Sequence, residues 1–222
     1  MAYWEPFAGF VVLATAALVA LTHATAGLLE ETDSDLAPAD LHVQVASSQA
    51  AFGVVLLGAM WLAGIPADAL GVAVSGRLVA VGVGVGVVLA AANETGMRLL
   101  DAAGLGYEQE LRAALTPAST RGWLLLFGVS LPVVAGVEEL LFRGLLVGAF
   151  AAGFEMSPWL LAVASSVVFG GGHTAQGYVG VVVTTLLGVA LAAAYVVTGS
   201  LLVVVVAHYV VNAAEFALHA RG

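Results

Sequence analysis

Runs of about twenty apolar residues leave a chain few folds, because in hydrocarbon each backbone amide must find its hydrogen bond inside a helix or a closed barrel. Such runs recur here at residues 7–29, 43–64, 78–92, 123–150, 159–173, 178–197 and 201–218. They predict an all-α, polytopic transmembrane helical bundle of about seven spans, the third and fifth runs being the shortest. The first run follows no basic segment and is too long for a signal-peptide core, so it reads as a retained span. The expected organisation is one multi-pass integral-membrane domain over 1–222, seated in the cell membrane, with a helical core at 123–218.

Composition supports this and closes other routes. At 61% hydrophobic and 9% charged residues, with a mean hydropathy of +1.05, the chain departs far from soluble domains, in which roughly a quarter of residues are charged. The absence of cysteine removes disulfides, thiolate metal sites and thiol nucleophiles. With a formal charge of -9 and every basic residue an Arg, nucleic acid is not expected as a partner; the acidic, lysine-free loops suit a high-salt cytoplasm.

The acidic stretch at 30–35 predicts a solvated hairpin between the first two spans. Residues 93–122, where Arg98, Asp101, Glu108, Glu110, Arg112 and Arg121 stand among leucines and alanines, suit a helix lying at the interface, with plain loop chemistry as the alternative. The Val-Gly alternation at 81–87 has a strand's period, yet a lone strand cannot cross lipid, so a helix is expected. Gly82 and Gly86, like Gly144 and Gly148, then have the small-xxx-small spacing that lets helices pack closely.

Against this background a few residues are costly. An ionisable side chain at the bilayer centre costs roughly 2.5 to 3.5 kcal/mol on the insertion scale, and the run at 123–150 carries Glu138, Glu139 and Arg143. Helical geometry puts Glu139 and Arg143 on one face and turns Glu138 about 100 degrees away, toward some other partner. The bland alternative is that both glutamates share Arg143 in an ion cluster that locks helices together.

Two later runs add imidazoles. Phe169 and His173 are four residues apart at the end of one run, with three glycines between them that let another backbone come close; His208 and Asn212 share a face of the last. Each histidine alone is most simply a helix-to-helix hydrogen bond. Together, Glu138, His173, His208 and Asn212 on three apolar helices converge only around a shared polar cavity, the form expected of a membrane active site.

The order EE-xxx-R, F-xxx-H and H-xxx-N on successive apolar helices resembles the CPBP family of intramembrane proteases, the CAAX-processing and bacteriocin-processing or Abi-type enzymes. The motifs are Glu138, Glu139 and Arg143; Phe169 and His173; and His208 and Asn212, with Gln176 and Gly177 adding to the likeness. The resemblance implies an intramembrane endopeptidase acting on membrane-associated substrates, prenylated CAAX-type proteins among them. Glu138 would be general base to a water that His173 helps to hold. His208 and Asn212 would form an oxyanion hole, with Glu139, Arg143 and Phe169 in support. It equally allows Glu138, His173 and His208 to hold one divalent metal such as zinc; no H-E-x-x-H occurs, and a metal-free glutamate mechanism stands beside the metal one.

Other chemistries have less support. An aspartyl pair is ruled out because no Asp follows Asp101, and Ser130, Ser165, Ser166 and Ser200 lie in no nucleophile-elbow pattern. A proton-coupled carrier built on the Glu and His residues, or a non-catalytic scaffold retaining them for stability, are the competing functions. His23, His42, His219 and Glu155 are assigned no chemistry, and Glu215, three residues after Asn212, either lines the same cavity or, as the favoured reading, reaches the headgroups.

Overall fold

The structure is a computed structural model describing residues 2–31, 38–105 and 115–219. Its long helices are α1 (Trp4–Glu31), α2 (Pro38–Leu62), α3 (Gly76–Ala102), α4 (Thr120–Phe154), α6 (Gly177–Thr198) and α7 (Leu201–His219), each holding a stretch long and apolar enough to span a membrane. Between α4 and α6 lies the shorter α5 (Pro158–Gly171). Its 14 residues rise about 21 Å, short of a hydrocarbon core of roughly 30 Å. The polytopic all-helical bundle of about seven helices is therefore present, with six full-length spans and one short member.

Two boundaries differ from expectation. The third span runs the full 27 residues of α3, because residues 93–102 continue it instead of lying as a separate interfacial helix. Glu94 and Arg98, four apart, pair there at 2.6 Å, which lets the helix end in a polar turn. Of the acidic stretch, Glu30 and Glu31 close α1, while 32–37, like 106–114 with Glu108, Glu110 and Arg112, lie outside the described residues.

The helices alternate in direction, so each end of the bundle gathers its own set of termini. At one end the Tyr3 amide donates to the Ala63 carbonyl at 2.8 Å, and Trp4 packs on Gly153 of α4. At the other, a His42 ring nitrogen lies 2.8 Å from the Leu115 carbonyl and His23 lies 3.3 Å from Thr174. Exposed Trp61 and Trp159 mark the first end and Tyr178 the second, where amphipathic rings favour the headgroup level.

Close helix approach is built from glycine. A Cβ on Gly82 would meet the Val203 carbonyl oxygen at 2.8 Å, and one on Gly86 would meet that of Ala207 at 2.8 Å. Backbone contact of α3 with α7 thus depends on both. Gly148 likewise leaves room for the Tyr195 hydroxyl, which donates to Leu70 O at 3.0 Å and ties α6 to the turn before α3.

Within α4 the hydrogen bonding widens to a π-helix over Leu126–Ser130 and again over Leu140–Ala149. The first wide stretch precedes Pro132, which has no amide hydrogen and crowds the preceding turn of an α-helix. The Tyr209 hydroxyl of α7 donates to the Phe127 carbonyl in that stretch at 3.2 Å.

Gly86→Ala should lower the thermal unfolding temperature in detergent, by overpacking worth about 1 to 3 kcal/mol. Gly84→Ala, whose Cβ would meet nothing within 4 Å, should leave stability unchanged or raise it slightly. Equal behaviour of the two variants would refute the close-packing account.

Candidate active site

Glu138 stands near the midpoint of the 35-residue α4. It lines a cavity of about 270 Å³ that also takes in Phe169 from the end of α5, His173 from the turn that follows, and His208 and Asn212 from α7. All four residues expected to carry the chemistry therefore border one space. Glu139 and Arg143, both fully buried, lie beneath it.

One oxygen organises the floor. Glu139 Oε1 accepts from Arg143 Nη1 at 2.8 Å and from His208 Nδ1 at 2.7 Å, while Arg143 Nη2 donates to the Gly188 carbonyl of α6 at 2.9 Å. Three helices are thereby joined through one carboxylate and one guanidinium. Among the described residues, Glu139 Oε2 and Arg143 Nε have no hydrogen-bond partner. A cluster so deeply buried and incompletely bonded is a poor route to stability alone.

The two imidazoles are fixed by their inner nitrogens. A carboxylate only accepts, so His208 Nδ1 carries the hydrogen, and Nε2 turns to Glu138, whose Oε2 lies 3.7 Å away, too far for a direct hydrogen bond. His173 Nδ1 sits 2.7 Å from the Phe169 carbonyl, which also only accepts, so the lone pair of His173 rests on Nε2. The ring of Phe169 fills the space between, 4.6 Å from the His173 ring and 6.1 Å from that of His208. The Arg143 guanidinium carbon lies 4.8 Å from the Phe169 ring centroid, a cation–π contact that joins the first and second motifs.

Among the described residues no three His, Asp or Glu side chains come together as a metal-holding group. Glu138, His173 and His208 share the cavity but are not gathered into a ligand set.

The cavity also contains residues to which the sequence assigns no chemistry. His42 of α2 lines it, as do Gln176 and Thr184, which bond to each other at 2.7 Å, and Glu215. Glu215, three residues beyond Asn212 and close to the end of α7, borders the cavity, the alternative that its spacing leaves open beside the headgroups. For His42 no sequence pattern points inward. The serine hydroxyls have packing roles: Ser165 and Ser166 donate to the Ala162 carbonyl at 3.2 and 2.6 Å, and Ser130 to that of His42 at 3.1 Å.

Residues 120–214, less than half of the chain, match the family model described as type II CAAX prenyl endopeptidase Rce1-like. The match agrees with the resemblance carried by the three motifs, all of which fall inside it. At family level it supports a CAAX-type intramembrane protease, and the apolar helices make the chain an integral multi-pass membrane protein. No curated protein and no solved structure matches the chain significantly.

Arg143→Ala should strand the Glu139 carboxylate in an apolar core and cost about 3 to 5 kcal/mol. The double variant Glu139→Gln, Arg143→Met should recover much of that loss. Thermal unfolding of the single and double variants measures it, and a double variant less stable than Arg143→Ala would refute the shared-carboxylate account.

Proposed function

We propose that this chain is an intramembrane endopeptidase in which Glu138 activates a water against a peptide carbonyl, with prenylated CAAX-type proteins as the substrate class. The observation that carries the reading is the meeting of Glu138, His173, His208 and Asn212, from α4, the turn after α5 and α7, at one cavity. The Rce1-like match adds the reaction class and the substrate class.

A water within reach of Glu138 and of the His173 Nε2 lone pair gives its proton to the carboxylate as its oxygen attacks the carbonyl carbon. His173 can hold that water because its other nitrogen is occupied by Phe169 O. The oxyanion so formed takes hydrogen bonds from the Asn212 amide and from His208 Nε2. Since His208 Nδ1 already donates to Glu139, donation from Nε2 as well requires the imidazolium form, and Glu139 is its counter-charge. Glu138 then delivers the proton to the leaving amine as the C–N bond breaks, which restores the carboxylate. Phe169 and Arg143 hold the two rings in place and touch no reacting atom.

Glu138→Gln should abolish cleavage of a membrane-embedded reporter peptide while leaving the unfolding temperature within a few degrees of wild type. Asn212→Ala should lower kcat by about 10²- to 10³-fold, the effect of losing one oxyanion donor. Chelators should leave the rate unchanged. Cleavage by the Glu138 variant would refute the assignment, and loss on chelation restored by zinc would replace the metal-free mechanism.

A further inference from the structure

A peptide that enters a helical bundle gives up water and finds no sheet edge in its place. The surrounding helices bond their amides and carbonyls within their own segments, so the carbonyls of an entering chain take donors from side chains or stay unsatisfied at a cost. Few side chains in the cavity wall still have a hydrogen to give. Ser130 donates to the His42 carbonyl at 3.1 Å, and Thr184 donates to Gln176 Oε1 at 2.7 Å. His42 Nε2 faces the Leu115 carbonyl at 2.8 Å and His173 Nδ1 that of Phe169 at 2.7 Å; each neutral ring then keeps only a lone pair for the cavity. The lining carboxylates only accept, and His208 and Asn212 serve the oxyanion in the proposed reaction. Among the described lining side chains, the Gln176 amide nitrogen remains, with both of its hydrogens unused.

Gln176 is also well placed. It ends the 3-10 turn Thr174–Gln176 that joins α5 to α6, and its backbone amide donates to the His173 carbonyl at 3.0 Å. Such a turn brings side chains three residues apart to the same side, which sets Gln176 beside His173. Gly177 follows at φ 69° and ψ 177°, a conformation that essentially only glycine adopts, and the chain passes straight into α6. On that helix the buried Thr184 holds the amide oxygen of Gln176, which fixes the direction of the whole group and leaves its nitrogen without a partner among the described residues.

We infer that Gln176 is a substrate-binding residue whose amide nitrogen donates to a backbone carbonyl of the peptide beside the scissile bond. This rests on the endopeptidase reading, which supplies the peptide and places the water at His173. The contact goes to a group that every peptide carries, so it sets affinity and register without selecting a side chain. Thr184 acts through Gln176 as its positioning residue.

The test uses the full chain in nanodiscs and a membrane-embedded reporter peptide in which one non-scissile carbonyl oxygen at a time is replaced by sulfur. Sulfur is the weaker acceptor and leaves the amide plane and its N–H in place. Gln176→Glu keeps an acceptor for Thr184 and, ionised, loses both donors; Gln176→Met keeps the length with neither donor nor charge. Both should lower kcat/KM about tenfold, the loss of one hydrogen bond, and chiefly through KM, because the contact is made before and during the reaction alike. At one position beside the cleaved bond, sulfur should cost the wild type about fivefold and cost the two variants nothing further. Binding of the same peptides to Glu138→Gln should rank them in the same order without turnover. Losses from sulfur and from substitution that simply add at every position, or a wild type indifferent to sulfur throughout, overturn the inference and leave Gln176 as a brace of its turn. A wild type that binds with this dependence on sulfur and on Gln176 yet cleaves nothing overturns the endopeptidase reading instead and leaves the Gln176 contact standing.

Discussion

A single carboxylate oxygen, Glu139 Oε1, holds the centre of this bundle together by accepting from both Arg143 and His208. In water such a pair is worth little; in an apolar core it is expensive to bury and costlier still to break. The arrangement therefore leaves little freedom to its members. Arg143 must reach both Glu139 and the Gly188 carbonyl, His208 must present its outer nitrogen to Glu138, and α4, α6 and α7 are held at the spacing these bonds require.

Small residues make that spacing attainable. A Cβ at Gly188 would lie 3.2 Å from the Phe169 ring and 3.4 Å from Arg143 Nη2, so a side chain there would press on the guanidinium and the aromatic ring at once. One at Gly170 would meet the Val181 carbonyl oxygen at 3.0 Å, which keeps α5 close against α6 and His173 close to the cavity. Polar chemistry and backbone proximity are in this sense one design, since the charged groups are bonded only where glycine lets the helices touch.

Much of this was legible in the sequence, for reasons that differ by feature. The spans announce themselves because hydrocarbon demands long apolar helices, and Glu138, Glu139 and Arg143 stand out because lipid penalises them. The i to i+4 spacing places Glu139 beside Arg143, and the 2.8 Å contact lies on that face. Less could be read of α3, whose charged last turns pass for an interfacial helix until tertiary contacts with α7 carry them on as one element. Glu215 and His42 were hidden for a related reason: near helix ends an ionisable residue has the headgroups as an easy alternative, so composition cannot tell which way it turns. The π-helical stretches of α4 also have no periodic signature, although Pro132 supplies a cause for the first.

The contact of α3 with α7 bears on what counts as a unit in this protein. The helix that presents His208 and Asn212 rests, backbone on backbone, on a helix that lies wholly upstream of the Rce1-like segment. A fragment trimmed to the recognisable stretch would keep Glu138, His173, His208 and Asn212 and lose the surface against which its last helix is seated. The portion without a signature thus behaves as a mould, constraining shape through fit at the glycines of the crossing.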